Sequence, residues 1–221
     1  MSHCREEHDH GDHHHHDHDH DHTDEMVPAM NHSLYQHIIF DQITTLNETL
    51  KDSGRKIVEK TWAQSELLEP ELESDADEQV IINVPFTGQV KLHTILLRSP
   101  PDASAPRTLK VFTNREDVDF DVASEMSPTQ TFELSQFSGV QELPVRRALF
   151  GNVRRLALFF EDNFGDEEST RISYLGFKGD WIPVGRAPVN ILYEAAPNPN
   201  DHRVKGTAAS RHLDSAFGRD G

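Results

Sequence analysis

The residues best suited to chemistry lie at the start of the chain, where ten histidines occupy the first 22 positions in and around the run HDHGDHHHHDHDHDH. Imidazole nitrogens and carboxylate oxygens are ligands for zinc, nickel and copper. Alternating Asp and His residues let many ligand sets form, but none is held in a fixed geometry, so the pattern predicts metal binding of poor selectivity. The candidate ligands are His8, His10, His13, His14, His15, His16, His18, His20 and His22.

Two other interpretations of this histidine-rich segment stay open. The first is a solvated tail without any metal role. The second is a pH-responsive tether, because ten protonated imidazoles would roughly cancel nine carboxylates below a pH of about 6. In none of these interpretations is a cofactor required, and zinc, nickel or copper on the tail would be adventitious or regulatory.

A second candidate site is the acidic stretch that precedes an alternating apolar segment in ESDADEQVIINVPFTGQVKL, residues 73–92. Calcium prefers several oxygen ligands, which the carboxylates here could supply. The spacing does not match an EF-hand loop, since Gln79 and Val80 fall at its fifth and sixth positions. The remaining interpretations are a solvated loop that discourages edge-to-edge strand pairing and an acidic surface for a basic partner.

A third candidate is the acidic loop in NFGDEESTRISYLGFKGDW, residues 163–181. The turn and acids before a strand indicate either a simple hairpin or an exposed loop that grips another protein. We therefore predict partner binding by the carboxylates of these two acidic loops: Glu73, Asp75, Asp77, Glu78, Asp166, Glu167 and Glu168.

Recognisable catalytic groupings are absent from the sequence. It contains no G-x-S-x-G elbow, H-E-x-x-H pair, phosphate-binding glycine loop or dinucleotide fingerprint. The five histidines outside the tail are isolated in sequence, which favours surface or core roles over catalysis or metal ligation: His32, His37, His93, His202 and His212. We expect a protein that is not an enzyme.

Charge and cysteine content narrow the function classes further. The 221 residues carry a net charge of −17, of which the first 25 residues contribute −8, leaving −9 on the remainder. Phosphate backbones and anionic membranes repel such a chain, so nucleic-acid and membrane-surface partners are not expected. The only cysteine, Cys4, can form neither an intrachain disulfide nor a C-x-x-C motif. No signal peptide or apolar run of about 20 residues is visible, so we expect a reducing compartment, cytoplasm or nucleus.

The elements that must position these residues are short and mostly extended. Apolar residues three to five apart over residues 34–50 predict one or two helical turns. Beyond residue 80 the apolar period becomes two, interrupted by turn residues, which indicates an antiparallel sandwich. The predicted strands are 80–84, 90–98, 107–113, 129–134, 140–145, 155–161, 171–178 and 189–194. Residues 1–29 are predicted to be a disordered tail, 30–197 one domain, and 198–221 a flexible tail.

Five segments of the chain together resemble the PITH domain, a proteasome-interacting module of a thioredoxin-like protein. They are the two acidic segments, YEAAPNPNDHRV (residues 193–204), LNET (residues 46–49) and TQTFEL (residues 129–134). The resemblance spans about residues 33–204. It implies a jelly-roll sandwich akin to galactose-binding-like domains and to the DOC domain of the anaphase-promoting complex. It also implies a protein of cytoplasm and nucleus that associates with the 26S proteasome. The chain has no thioredoxin domain or C-x-x-C pair, so the redox activity of that relative is not implied.

Two hypotheses follow for the folded domain. The first is a non-catalytic protein-interaction module that docks on the 26S proteasome regulatory particle or a similar large assembly. The alternative is a sandwich that binds a small ligand or a carbohydrate at its loops. Trp62 and Trp181 are the candidate stacking residues for that alternative, although we expect core packing for both.

Overall fold

Nine strands form most of the regular structure in the computed structural model, which describes residues 31–183. Two short helices are α1 (Ser53–Glu59) and α2 (Phe120–Glu125), and single 3₁₀ turns occur at Tyr35–His37, Phe40–Gln42 and Trp62–Gln64. The strands are β1 (Thr44–Leu46), β2 (Leu72–Glu73), β3 (Val80–Arg98), β4 (Pro106–Thr113), β5 (Gln130–Glu133), β6 (Gln141–Pro144), β7 (Val153–Asn163), β8 (Arg171–Ile172) and β9 (Tyr174–Ile182).

The long strand β3 belongs to both layers of the fold. Its first half pairs with β1 and with β7. The first layer therefore has the strand order β1-β3-β7-β4-β5. Its second half pairs with β9 on one side and β6 on the other, forming the second layer. The register shifts between Pro85 and Val90, where the strand changes layers. The result is an all-antiparallel β-sandwich, as the sequence predicted.

The core lies between the two layers, and β7 shows how period-two patterning builds it. Leu156, Leu158 and Phe160 face the main core, and all three are fully buried. Ala157 and Phe159 face the opposite side, where they form a smaller apolar cluster with residues of α2 and the loop before it. Both sides of β7 are therefore covered in its middle, which explains why residues 156–160 are apolar at every position.

Several local expectations need correction. Residues 80–84 and 90–98 were predicted as two strands, but they form one continuous strand because the chain bends without breaking between them. The predicted strand at 171–178 is divided into β8 and β9. Helix α2 was not predicted, since its six residues are too few to show a helical period. The predicted helical turns over 34–50 are present as two 3₁₀ turns, followed by β1.

The predicted tails and the strand predicted at 189–194 lie outside the described residues. All nine predicted metal ligands, His8 to His22, lie there too. Within residues 31–183, no helix is long and apolar enough to cross a membrane.

Candidate functional site

The two acidic loops predicted from the sequence lie side by side. The β2–β8 ribbon pairs Leu72 with Ile172 and places Glu73 opposite Arg171. The next backbone contact, from the Ser74 amide to the carbonyl oxygen of residue 170, is 3.0 Å long. This pairing brings both loops to one edge of the molecule. We call it the acidic edge, defined by Glu73, Asp75, Asp77, Glu78, Asp166, Glu167 and Glu168.

The first loop of the acidic edge is held by Asn47. Its side-chain amide donates hydrogen bonds to the Asp77 carboxylate at 2.8 Å and to the Gln79 carbonyl at 2.7 Å, and its oxygen accepts from the Ala76 amide at 2.9 Å. Asn47 has φ of 66°, a left-handed conformation that asparagine tolerates better than most residues. Glu78 is half-buried, whereas the other acids of this loop are exposed.

The residue that follows Asn47 connects the same loop to helix α1. The Glu48 carboxylate accepts hydrogen bonds from the backbone amides of Asp52, at 2.6 Å, and Gly54, at 3.0 Å, which are donors left free at the start of the helix. The Thr49 hydroxyl donates to the Ser74 carbonyl at 3.0 Å. The LNET motif is therefore a structural junction between α1 and the acidic edge.

The second loop of the acidic edge is held by Asn163, which is completely buried. Its amide donates to the carbonyl oxygens of Glu167 at 2.9 Å and Ser169 at 3.2 Å, and its side-chain oxygen accepts from the Glu167 amide at 2.9 Å. These bonds fix the backbone, so the carboxylates at 166–168 point away from it and are exposed. Both loops thus combine a fixed backbone with accessible charge.

The arginines nearest to this edge pair with other carboxylates. Arg171 pairs with Glu71, and Arg107 pairs with Asp162. Burial raises the pKa of the Glu71 carboxyl, and the Arg171 guanidinium opposes this shift. The exposed acids of the edge therefore present net negative charge to solvent.

Calcium binding at the first loop is not favoured by the geometry. Among the described residues, three carboxylates of this loop do not approach closely enough to share an ion. The Asp77 carboxylate already accepts from Asn47 and from the Gln79 amide, at 2.8 and 3.0 Å.

A cavity of about 330 Å³ lies on the outer side of the second layer, between β9 and residues 33–38 and 58–62. Trp62 meets the Tyr174 ring edge-on at 6.5 Å between centroids, and the Lys178 ammonium lies 5.7 Å from the Trp62 centroid. The Lys178 ammonium also lies 2.8 Å from a Glu142 oxygen. Aromatic walls with one cationic group suit a small, partly polar ligand.

Two ionisable groups at this cavity have altered acidities. Burial raises the pKa of the Tyr174 hydroxyl to about 12. Burial also lowers the pKa of Lys60, whose ammonium donates to the carbonyl oxygens of Leu67 at 2.8 Å and Ser173 at 2.6 Å. Lys60 is thus a buried cation that ties the segment after α1 to the second layer.

Neither tryptophan packs in the core, contrary to the expectation from sequence. Trp62 is half-buried at the cavity. Trp181 remains 36% exposed and stacks on the His37 ring at 4.3 Å with an interplanar angle of 5°. Both are accessible to a ligand, and the sequence carried no sign of this because the partner rings come from distant segments.

The comparisons with known proteins decide the family. The PITH domain model matches residues 24–197. The chain belongs to the PITH family. A PITH domain-containing protein of Schizosaccharomyces pombe is 39% identical over 175 residues, covering 78% of this chain and 84% of the relative. PITH domain-containing protein 1 of Danio rerio is 38% identical, covering 80% and 84%, and that of Homo sapiens is 36% identical, covering 84% and 87%.

Solved structures similar to this PITH domain include carbohydrate-binding modules. CBM32-3 of a Clostridium perfringens family 31 glycoside hydrolase is 14% identical, with a TM-score of 0.46, covering 66% of this chain and 96% of that one. The CBM32-1 and CBM32-2 domains of C. perfringens ZmpB, in complex with GalNAc, are 13% identical, with a TM-score of 0.47. The match covers 66% of the PITH chain and 35% of the ZmpB chain. At these identities and TM-scores the similarity carries no conclusion about a ligand of this chain.

Proposed function

We propose that this PITH domain is a non-catalytic interaction module that docks through its acidic edge on a large protein assembly, the 26S proteasome regulatory particle or a similar one. The observation that carries the proposal is the convergence of two acidic loops on one edge through the β2–β8 pairing. The loops are distant in sequence, yet both present exposed carboxylates there.

The way the loops are held supports a binding role. Asn47 and Asn163 hold the backbones of the two loops in place, so the loops would lose little conformational entropy when a partner binds them. Exposed charges at the rim of an interface mainly accelerate association and make it sensitive to salt. The expected partner surface is therefore basic, and its association with this domain should weaken as ionic strength rises.

A pull-down with the full-length chain tests this function. At low salt the wild-type chain should recover regulatory-particle subunits from lysate, and neutralising the second loop of the acidic edge should reduce recovery several-fold. The test variant carries Asp166→Asn, Glu167→Gln and Glu168→Gln, and the matched control carries Asp121→Asn, Glu125→Gln and Glu133→Gln, three exposed acids outside the acidic edge.

Two results would overturn the assignment. Absence of regulatory-particle subunits in the wild-type pull-down would refute the proposed partner. Equal recovery by the test and control variants would refute the acidic edge as the docking surface. The proposed location in cytoplasm and nucleus is tested by imaging the tagged full-length protein, which should be found in both compartments.

An alternative function is the binding of a small ligand or carbohydrate, which the aromatic cavity favours. Trp62, Tyr174 and Lys178 supply stacking surfaces and a cation at one cavity of about 330 Å³. A glycan array combined with tryptophan fluorescence tests this function, and Trp62→Ala should abolish any binding at the cavity. Binding that persists in Trp62→Ala, or an array with no positive glycan, would exclude a sugar at this site.

The histidine-rich tail is a separate proposal, and it concerns residues outside the described part of the chain. We propose that it binds zinc, nickel or copper through His8 to His22 with low selectivity. Zinc titration of the full-length chain and of a chain starting at Met30 tests this, because equal stoichiometry in both would refute a role for the tail.

A further inference from the structure

Two histidines and an aspartate from three separate segments converge beside β9. The His32 Nδ1 atom lies 2.9 Å from the Asp180 Oδ1 atom, and the His93 Nε2 atom lies 3.2 Å from the Asp180 Oδ2 atom. One nitrogen or oxygen atom from each residue lies within 4.8 Å of the other two. The histidines looked isolated in the sequence, but the fold brings them to one carboxylate.

Irregular backbone positions both histidines. The register of β3 with β9 shifts between Leu92 and Thr94, so His93 is the extra residue of a bulge, a feature that re-aims a side chain. His32 has φ of 68°, in the left-handed region that few residues other than glycine adopt, and its carbonyl accepts from the Gly179 amide at 2.7 Å. Departures from regular geometry at two members of one cluster are typical of functional positions.

The donor set and its spacing match a first-row divalent metal. Two imidazole nitrogens with one carboxylate oxygen are a common ligand set for zinc. Zinc–ligand bonds of about 2.0–2.1 Å in a tetrahedron put neighbouring ligand atoms about 3.3 Å apart. The His32 and His93 nitrogens lie 2.9 and 3.2 Å from the Asp180 carboxylate, which is close to this value, and each nitrogen contacts a different carboxylate oxygen, Oδ1 and Oδ2. One ligand atom from each of the three residues lies within 4.8 Å of the other two, and a bound ion would draw these atoms closer together.

The cluster is accessible to solvent, although one of its three side chains is mostly buried. The side chains of His32 and Asp180 are 60% and 49% exposed, whereas that of His93 is only 19% exposed. A metal can therefore enter from solvent, and its remaining coordination position faces water. Iron-dependent oxygenase sites use similar ligands but need several open positions, and this open surface offers no enclosed chamber for such chemistry.

We propose that His32, His93 and Asp180 form a zinc site with three protein ligands, separate from the histidine-rich tail. Bound zinc would fasten the segment that begins at His32 onto β3 and β9, adding a cross-link to the hydrogen bonds already present there. The site does not depend on the proposed docking function, because none of its ligands belongs to the acidic edge.

The test uses the full-length chain with its ten tail histidines replaced by asparagine, so that the tail remains but its imidazoles do not. Calorimetric titration with zinc should give one equivalent, and zinc should raise the melting temperature. Adding His93→Asn should weaken zinc binding by more than about 100-fold. Loss of a residue that only hydrogen-bonds to a metal ligand costs about 10–100-fold, so the larger loss would identify His93 as a ligand itself. His37→Asn, another histidine near β9 that lies outside the cluster, is the matched control and should leave affinity unchanged.

A measurement without any site mutation guards against misfolding of the variants. In the tail-substituted chain, zinc should shift the ring-nitrogen NMR signals of His32 and His93 and leave the His37 signals in place. No bound zinc in that chain, unchanged His32 and His93 signals, or equal affinity in His93→Asn would each overturn the site. In that case the cluster serves only as hydrogen bonding that holds the segment to the sheet.

Discussion

Replacement of Asn163 by alanine offers a direct test of how the acidic edge is built. The buried side chain makes three hydrogen bonds of 3.2 Å or less, two to carbonyl oxygens and one from the Glu167 amide. At about 1 kcal/mol net for each bond, Asn163→Ala should lower the free energy of unfolding by about 3 kcal/mol. For a domain of this size, that loss lowers the melting temperature by about 6–12 °C.

Asn163→Asp has nearly the same shape but cannot donate to the two carbonyl oxygens when it is ionised. It should therefore destabilise more than alanine at pH 7, because a buried carboxylate would face carbonyl oxygens. Its pKa should be raised in the folded state above the unfolded value of about 3.9. The folded state then binds more protons than the unfolded state. The loss in free energy of unfolding caused by Asn163→Asp should therefore become smaller as the pH falls from 7 towards 4.

Urea denaturation of full-length variants at pH 7 and pH 4.5 measures both effects. Asn47→Gly is the matched control for the first loop, since glycine keeps the left-handed backbone and removes only the side chain. Because Asn47 is half-buried, water replaces part of its bonding, and we expect a loss of only about 1 kcal/mol. The reasoning fails if Asn47→Gly costs more than Asn163→Ala, or if Asn163→Asp is as stable as the wild type at pH 7.

Three further predictions concern the rest of the domain. Burial raises the pKa of Tyr174 to about 12 in the folded state, so with rising pH its hydroxyl ionises first in the unfolded state. The free energy of unfolding should therefore fall by about 2–3 kcal/mol between pH 10 and 12. Tyr174→Phe should remove this loss in urea titrations at alkaline pH. Phe159→Ala should cost about 3–5 kcal/mol in urea denaturation, because its fully buried ring fills the cluster beneath α2. A loss below 1 kcal/mol would show that this cluster is not a true second core. Lys60→Met should cost about 2–4 kcal/mol, since it leaves the Ser173 and Leu67 carbonyl oxygens without their donor, and an unchanged melting temperature would contradict this.

Local patterning predicted much of the sheet. Alternation in β7 puts Leu156 and Leu158 on one face and Ala157 and Phe159 on the other, because neighbouring side chains in a strand point to opposite faces. The structure has this arrangement and adds that the first face is the one that meets the main core. The consecutive prolines at 100 and 101 are incompatible with a strand ladder, and the residues between β3 and β4 form a loop. Patterning failed at Pro85, where turn-forming residues suggested a break and the chain only bends between layers.

The acidic edge was predicted in part. Sequence identified all seven carboxylates, because charge density is visible along the chain. It did not show that the two loops meet, nor that Asn47 and Asn163 hold them. Both asparagines stand in segments that carry the family resemblance, LNET and the stretch beginning at 163, which is the signal that could have pointed to them.

The sequence by itself determined the sandwich class, the acidic character and the family, because each depends on composition, local period or motif order. Tertiary structure decided which groups share a site. His32 and Asp180 are 148 residues apart and Arg171 is 100 residues from Glu71, yet each pair is in contact. Strand register and the bulge at His93 determine which side chains come into contact, because a shift of one residue would turn the side chains to the other face. That is why the cavity, the histidine cluster and the joined acidic edge became visible only in the folded chain.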